Sequence, residues 1–208
     1  MKKRVGVLAV QGAFAEMEMY WWAQGADIFE IRQRADLERG MDMLALPGGE
    51  STVQGKLLKD LGLFAPLKER IDGGLSVFAV CAGLILLAEK IEDDPTVWFG
   101  SLPVTVRRNA YGRQLGSFRT VGTFDGTSDV PMTFIRAPAI VAISPEVEVL
   151  STFNNQPTAV RWRNITAFTW HPELNESRLM HHFQRATRME RAGMTTRAAS
   201  VATTSPPN

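Results

Sequence analysis

The chain has 208 residues, of which 45% are hydrophobic and 22% charged, which suffices for the core of one globular domain and argues against disorder. Its 23 Lys and Arg residues against 22 Asp and Glu residues give a net charge of +1, so the charge balance predicts no nucleic-acid or anionic-membrane partner. One cysteine excludes an intrachain disulfide and favours a reducing, cytoplasmic setting.

Two apolar runs are candidates for a signal peptide or a membrane-spanning segment. The run from Val5 to Val10 follows three basic residues, but it stops at Gln11 without a small-residue cleavage site, so we predict a first strand rather than a signal peptide. The run from Val77 to Ala88 is well short of the roughly 20 residues that span a bilayer. We therefore expect a protein that binds no membrane.

The first half of the chain alternates short apolar runs with amphipathic stretches, which is typical of βαβ units around a mostly parallel sheet. Ser51 is predicted to cap the second helix, with Gln54 at the capping-box position. Strands are predicted at 5–10, 27–31, 43–46 and 75–80, and helices at 13–24, 52–59, 63–72 and 82–90.

Beyond Leu102 the pattern changes to extended segments separated by turn residues, which favours antiparallel strands and a mixed sheet. We predict an α/β fold: a single three-layer domain over 1–190, with helices flanking a mixed, mostly parallel central sheet, and a disordered tail over 191–208. The strands expected in this half include 147–153, 159–162 and 165–169, and a closing helix is expected at 177–188.

Cys81 is a candidate nucleophile because it lies where a strand-like run turns into a helix-like one. A helix N-terminus favours the reactive thiolate over the thiol. The alternative is an inert core residue, since free cysteine is among the most buried residue types. Gly83 would let the helix approach the sheet closely behind a sharp turn. Cys81 by itself does not decide between the two interpretations.

His171 and Glu173 can supply a base and the carboxylate that orients it. Pro172 disfavours a helix at His171, and residues two apart in an extended segment lie on one side. An isolated His-Pro-Glu sequence is more often a loop than a catalytic pair. The interpretation as a base and its orienter therefore depends on a nucleophile nearby.

The glycine pair Gly48-Gly49 follows the third strand and opens a helix, so its backbone N–H groups could approach a substrate or an oxyanion. An ordinary tight turn is the alternative, and a phosphate loop would require a lysine that is missing here. Gln11-Gly12 follows the first strand and should meet this loop at the same sheet edge, where α/β folds build their sites.

Two further features allow more than one interpretation. His181-His182 is rejected as a metal site, because adjacent helical residues point in different directions and no other ligands accompany them. Trp21-Trp22 is interpreted as packing residues, although aromatic side chains are also enriched in the cores of protein interfaces.

Six segments, at 5–13, 46–52, 81–88, 106–114, 134–138 and 171–174, resemble in order and without a large gap the glutaminase subunit of pyridoxal 5′-phosphate synthase, a class I glutamine amidotransferase. The Cys, Gly-Gly-Glu and His-Pro-Glu elements are common to many class I amidotransferases. The segments 108–114 and 134–138 are specific to this subunit.

This resemblance implies hydrolysis of L-glutamine to glutamate and ammonia, with Cys81 as nucleophile, His171 as base and acid, and Glu173 as its orienter. The ammonia would pass to the synthase subunit within a large hetero-oligomer that has a ring-shaped synthase core. No metal and no organic cofactor are implied. Gln11 and Gly12 would complete the oxyanion site on docking. The residues implied in glutamine binding are Gly48, Gly49, Glu50, Ser51, Arg108, Ile135 and Arg136.

The chain departs from the family pattern close to the nucleophile. Ala79-Val80 replaces the usual Gly-Thr or Gly-Ser, and a displacement of the thiol near 1 Å could cost about 10²-fold in rate. Two alternative functions follow: a catalytically impaired partner of the synthase, or a glutaminase for another acceptor enzyme, such as those of histidine or purine synthesis. Further departures are Met17, Trp21-Trp22 and Arg119.

Overall fold

The computed structural model describes residues 2–110 and 116–175, which contain twelve strands, four α-helices and two 3₁₀ helices. The strands are β1 (Arg4–Leu8), β2 (Asp27–Ile31), β3 (Met43–Leu46), β4 (Ser76–Val80), β5 (Ala88–Ile91), β6 (Leu102–Arg107), β7 (Ser117–Phe124), β8 (Thr127–Ile135), β9 (Ala139–Ile143), β10 (Glu148–Phe153), β11 (Gln156–Trp162) and β12 (Ile165–Phe168). The α-helices are α1 (Phe14–Ala23), α2 (Ser51–Asp60), α3 (Phe64–Asp72) and α4 (Ala82–Leu87), and the 3₁₀ helices are Arg34–Arg39 and Pro172–Leu174.

A seven-stranded sheet in the order β10-β11-β12-β4-β3-β1-β2 forms the centre of the fold. The five strands from β12 to β2 are parallel, whereas β10 and β11 pair antiparallel. Parallel β1, β3, β4 and β12 end at the same edge, so the segments that follow them are brought together there. Two smaller sheets accompany it, β5-β6-β9 and the β7-β8 hairpin.

Helices cover both faces of the central sheet, and β4 shows why. Side chains alternate between faces along a strand. Val77 and Ala79 belong to the large apolar cluster that also includes residues of α2, α3 and α4. Phe78, between them, instead contacts Tyr20 and Trp21 of α1, with ring centroids 5.7 and 5.2 Å apart. The predicted three-layer α/β fold with a mixed, mostly parallel sheet is therefore confirmed.

Two local predictions are wrong. The helix predicted over 82–90 ends at Leu87, and the next residues form β5, which pairs with β6 and leaves Glu89 and Lys90 exposed. Ser51 is the first residue of α2 rather than its cap. The N-cap is Glu50, and no side chain of the helix caps it.

The closing helix at 177–188, the tail at 191–208, the domain boundary near residue 190 and the histidine pair 181–182 lie outside the described residues. In the part of the chain that is described, no helix is long and apolar enough to cross a membrane.

Candidate active site

Cys81 occupies a sharp turn between β4 and α4. Its backbone has φ 51° and ψ −101°, and a residue other than glycine at positive φ is strained, a state that persists only where surrounding contacts enforce it. Its N–H donates to the carbonyl oxygen of Phe168 in β12 at 2.8 Å. A Cβ on Gly83 would lie 2.4 Å from the carbonyl oxygen of Leu46, so glycine is required for α4 to pack behind the turn.

His171 and Glu173 form a buried pair directly after the last parallel strand. His171 Nδ1 lies 2.6 Å from Glu173 Oε1, and the Glu173 side chain is fully buried. The Cys81 side chain lies close enough to the imidazole to raise the pKa of His171. Because Nδ1 is occupied by Glu173, Nε2 is the ring nitrogen left for the thiol. The structure thus brings Cys81 together with a His-Glu pair that lies far later in the chain.

The surroundings of the imidazole favour its charged form. Burial opposes a positive charge on His171, but the hydrogen bonds and negative charges of Cys81 and Glu173 outweigh burial and raise its pKa from 6.5 to about 10. These interactions favour the imidazolium, which can give a proton to a leaving group.

The two glycine loops dock on each other, as their positions after β1 and β3 predict. The N–H of Ala13 donates to the carbonyl oxygen of Gly48 at 2.9 Å, and the N–H of Glu50 donates to Gln11 Oε1 at 2.9 Å. Gly12 has φ +99°, and a Cβ there would lie 2.1 Å from the Gly48 oxygen. The Gln11 side chain, not that of Ser51, therefore accepts a hydrogen bond from a backbone N–H at the start of α2.

Gln54 binds both loops through its side-chain amide, a role that the sequence alone does not predict. It is fully buried on α2, and its Nε2 donates to the carbonyl oxygens of Gln11 at 2.9 Å and Pro47 at 3.4 Å. Its Oε1 is buried without a hydrogen-bond partner among the described residues. The sequence signal for this role is a polar residue at a core-facing position of a helix. The same residue also fits a capping box, which is the role predicted for it.

Gly48 also lies against the His171 ring. A Cβ on Gly48 would lie 2.5 Å from Cε1 of His171. The loop after β3 is thus in direct contact with both the loop after β1 and the imidazole ring.

The remaining predicted glutamine-binding residues are more peripheral. Arg136 has φ 43° and its guanidinium lies 3.8 Å from the Glu50 carboxylate, with both side chains exposed. Ile135 is 39% exposed at the end of β8. The Arg108 guanidinium forms an ion pair with Asp94 at 3.0 Å. Part of the segment specific to the predicted subunit, 111–114, lies outside the described residues.

The tryptophan pair on α1 divides between core and surface. Trp21 is buried against Phe78, whereas Trp22 is 73% exposed, as is Met19 at 71%. Met17 is fully buried. Helix α1 packs against the 3₁₀ helix that carries Glu173, so the exposed pair Met19 and Trp22 lies on an element that contacts the candidate site.

The sequence profile of the SNO glutamine amidotransferase family matches residues 7–189. The chain belongs to this family. It is 52% identical over 178 residues to the pyridoxal 5′-phosphate synthase subunit PdxT of Desulfitobacterium hafniense (strain DSM 10664 / DCB-2), covering 86% of this chain and 89% of that protein. It is 44% identical over 182 residues to the subunit of the same name from Bifidobacterium longum (strain NCC 2705), covering 85% and 96%.

Solved structures of glutamine amidotransferases share the fold. One crystal structure described as a glutamine amidotransferase superposes with a TM-score of 0.81 at 38% identity, covering 86% of this chain and 95% of that chain. The resemblance inferred from the six sequence segments is confirmed. Membership of the SNO glutamine amidotransferase family makes glutamine the relevant substrate when the geometry of the site is interpreted.

Proposed function

We propose that Cys81, His171 and Glu173 act as a triad that hydrolyses L-glutamine to glutamate and ammonia. The observation that carries the proposal is the order of the three side chains: Glu173 Oε1 lies 2.6 Å from Nδ1 of His171, and Cys81 is close enough to the same imidazole to raise its pKa. This is the order of orienter, base and nucleophile in thiol acyl transfer.

The reaction starts from the thiolate of Cys81 paired with the imidazolium of His171. The thiolate attacks the carboxamide carbon of glutamine to form a tetrahedral intermediate, whose oxyanion is stabilised by backbone N–H groups of the Gly48-Gly49 loop. As the C–N bond breaks, His171 gives its proton to the leaving nitrogen, which departs as ammonia and leaves a thioester.

Water completes the turnover. The now neutral imidazole takes a proton from water as its oxygen attacks the thioester, and the C–S bond breaks to release glutamate and restore the ion pair. Glu173 keeps Nδ1 protonated and directed, so Nε2 handles the proton in both halves of the reaction. No step needs a metal or an organic cofactor.

The glutamine is proposed to bind among Gly48, Gly49, Glu50 and Ser51 on one side and Arg108, Ile135 and Arg136 on the other. Gly49 allows the Gln11 and Gln54 side chains to pack closely against this loop, since a Cβ there would lie 2.6 Å from Gln11 Oε1 and 2.9 Å from Gln54 Nε2. The Arg136 and Arg108 guanidinium groups offer positive charge for the α-carboxylate of glutamine. Gln11 and Gly12 would complete the oxyanion site.

The ammonia is proposed to pass to the partner subunit of pyridoxal 5′-phosphate synthase, because the relatives are named as PdxT subunits of that enzyme. Such a complex would carry a ring-shaped synthase core and work in the cytoplasm, where a reducing setting preserves the Cys81 thiol. Met19 and Trp22 give α1 an exposed apolar surface, and α1 packs against the 3₁₀ helix that carries Glu173, which fits the docking of a partner.

A catalytically impaired partner of the synthase is not favoured. The methyl group of Ala79, where the family has glycine, belongs to the buried core cluster, and the adjacent turn still directs Cys81 toward His171. A glutaminase for another acceptor enzyme is disfavoured by the two segments, 108–114 and 134–138, that resemble the vitamin B6 subunit.

The test is ammonia release from L-glutamine by the purified chain, with and without a pyridoxal 5′-phosphate synthase subunit. We expect the partner to stimulate release and Cys81→Ala to reduce it below about 10⁻³ of the wild-type rate, with unchanged folding and partner binding. Turnover that persists in Cys81→Ala would refute the triad. Stimulation by a different acceptor enzyme, but not by this synthase, would refute the pathway.

A further inference from the structure

The main chain of His171 is fixed from two directions. Its N–H donates to the carbonyl oxygen of Thr133 in β8 at 2.8 Å. Its carbonyl oxygen accepts from Nδ2 of Asn175 at 3.1 Å and from the N–H of Leu174 at 3.3 Å. Because His171 lies in a short segment between β12 and a 3₁₀ helix, these bonds, rather than a regular element, fix the direction of its side chain.

Thr133 and Asn175 also bind each other. The Thr133 hydroxyl donates to Oδ1 of Asn175 at 2.9 Å, and Thr133 is only 6% exposed. The Asn175 amide thus uses its oxygen for Thr133 and its nitrogen for His171. These bonds close a ring through Thr133, His171 and Asn175, which we name the clasp.

The clasp joins two parts of the candidate site that belong to different sheets. Thr133 lies on β8 of the β7-β8 hairpin, two residues before Ile135 and three before Arg136, the segment proposed to bind glutamine. His171 follows β12 of the central sheet. A shift of the hairpin therefore reaches His171 through the clasp, and a misplaced base loses rate steeply with distance.

We propose that Thr133 and Asn175 are positioning residues that hold the His171 imidazole in line with Cys81 and align it with the glutamine-binding end of β8. This inference rests on the proposed glutaminase function and deepens it. Neither side chain touches the reacting atoms in this proposal, so each acts through His171.

The test uses alkylation of Cys81, which is the sole cysteine of the chain and therefore gives a signal from this site alone. The rate of iodoacetamide alkylation at neutral pH, followed by intact mass, reports how well His171 supports the thiolate. The variants are Thr133→Val, which removes the hydroxyl at similar volume, Asn175→Ala, and the double variant. Thr133→Ser retains the hydroxyl and serves as the rescue.

Thr123→Val is the matched control, since Thr123 is an exposed threonine on the neighbouring strand of the same hairpin. Thermal unfolding gives the Tm of each variant, and all alkylation rates are measured at a temperature at which every variant is folded.

We expect Thr133→Val and Asn175→Ala each to slow alkylation about threefold to tenfold, the effect of one lost hydrogen bond. The double variant should be no slower than the slower single variant, because either change opens the clasp. Thr133→Ser and Thr123→Val should alkylate at the wild-type rate. In glutamine hydrolysis the same losses should fall on kcat, with KM within about twofold.

Unchanged alkylation in both folded single variants would overturn the clasp, and so would losses that multiply in the double variant. Failure of the glutaminase proposal gives a different result: the wild-type chain would release no ammonia with the synthase, while the alkylation rates would still follow the pattern above.

Discussion

Replacing Gly48 by alanine should displace the His171 ring. The new Cβ would lie 2.5 Å from Cε1, 3.4 Å from Nδ1 and 3.5 Å from Nε2 of His171, whereas carbon atoms in contact are normally about 3.5 to 4.0 Å apart. The ring or the loop must therefore move by roughly 1 Å, and a displacement of that size costs about 10²-fold in rate. The overpacking itself should cost about 1 to 3 kcal/mol of stability.

The assay is glutamine hydrolysis by the Gly48→Ala variant in the presence of the synthase subunit, together with iodoacetamide alkylation of Cys81 and thermal unfolding. Gly73→Ala is a suitable control, because Gly73 ends α3 with φ −76°, a conformation that alanine adopts readily. We expect Gly73→Ala to retain full activity. Wild-type kcat and a wild-type alkylation rate in folded Gly48→Ala would refute the reasoning that this glycine makes room for the base.

Two other substitutions test the site's electrostatics and its support. Glu173→Gln removes the negative charge beside His171, so the pKa of His171 should fall below its value of about 10. The loss of kcat/KM at high pH, where the imidazolium gives up its proton, should then begin at a lower pH. We also expect kcat to fall by roughly 10²-fold. Gln54→Leu removes the amide that binds the Gln11 and Pro47 carbonyls, which should cost about 1 to 2 kcal/mol and lower Tm by roughly 2 to 8 °C.

The pH profile of kcat/KM and thermal unfolding check these expectations. An unshifted high-pH limb in Glu173→Gln would mean that Glu173 does not set the charge of the base. For Gln54→Leu the matched control is Gln156→Leu, at an exposed position that begins β11. Equal Tm values for the two leucine variants would show that Gln54 does not support the loops.

Chemistry and local pattern singled out Cys81 and His171 as candidates, although neither segment alone decided between a catalytic and a structural interpretation. Cys81 was found because a thiol at a strand-to-helix turn has a physical use there, and the strands at 27–31 and 43–46 match β2 and β3 because short apolar runs bounded by turns have few alternatives. The helix predicted over 82–90 failed because Leu84 to Ala88 is continuously apolar and shows no period. Its end was decided by pairing of β5 with β6, which local sequence does not encode.

The features that the sequence did not predict depend on contacts between residues far apart in the chain. Ser51 and Gln54 fit a capping box, but the N–H at the start of α2 binds Gln11, 39 residues away. Thr133 and Asn175 are 42 residues apart, and neither residue type in its own segment indicates a link to a base. Supporting residues of this kind are set by tertiary geometry, whereas candidate reacting groups are recognisable from their chemistry.

The strained turn at Cys81 lowers the stability of the fold at the position of the proposed nucleophile. A non-glycine residue at φ 51° and ψ −101° carries roughly 1 to 3 kcal/mol of strain, which glycine would relieve. Directed evolution of this chain for heat resistance alone would therefore tend to favour Cys81→Gly and discard catalysis. A lineage that no longer needed its own ammonia source could gain stability by the same step, so this position records whether selection still acts on turnover.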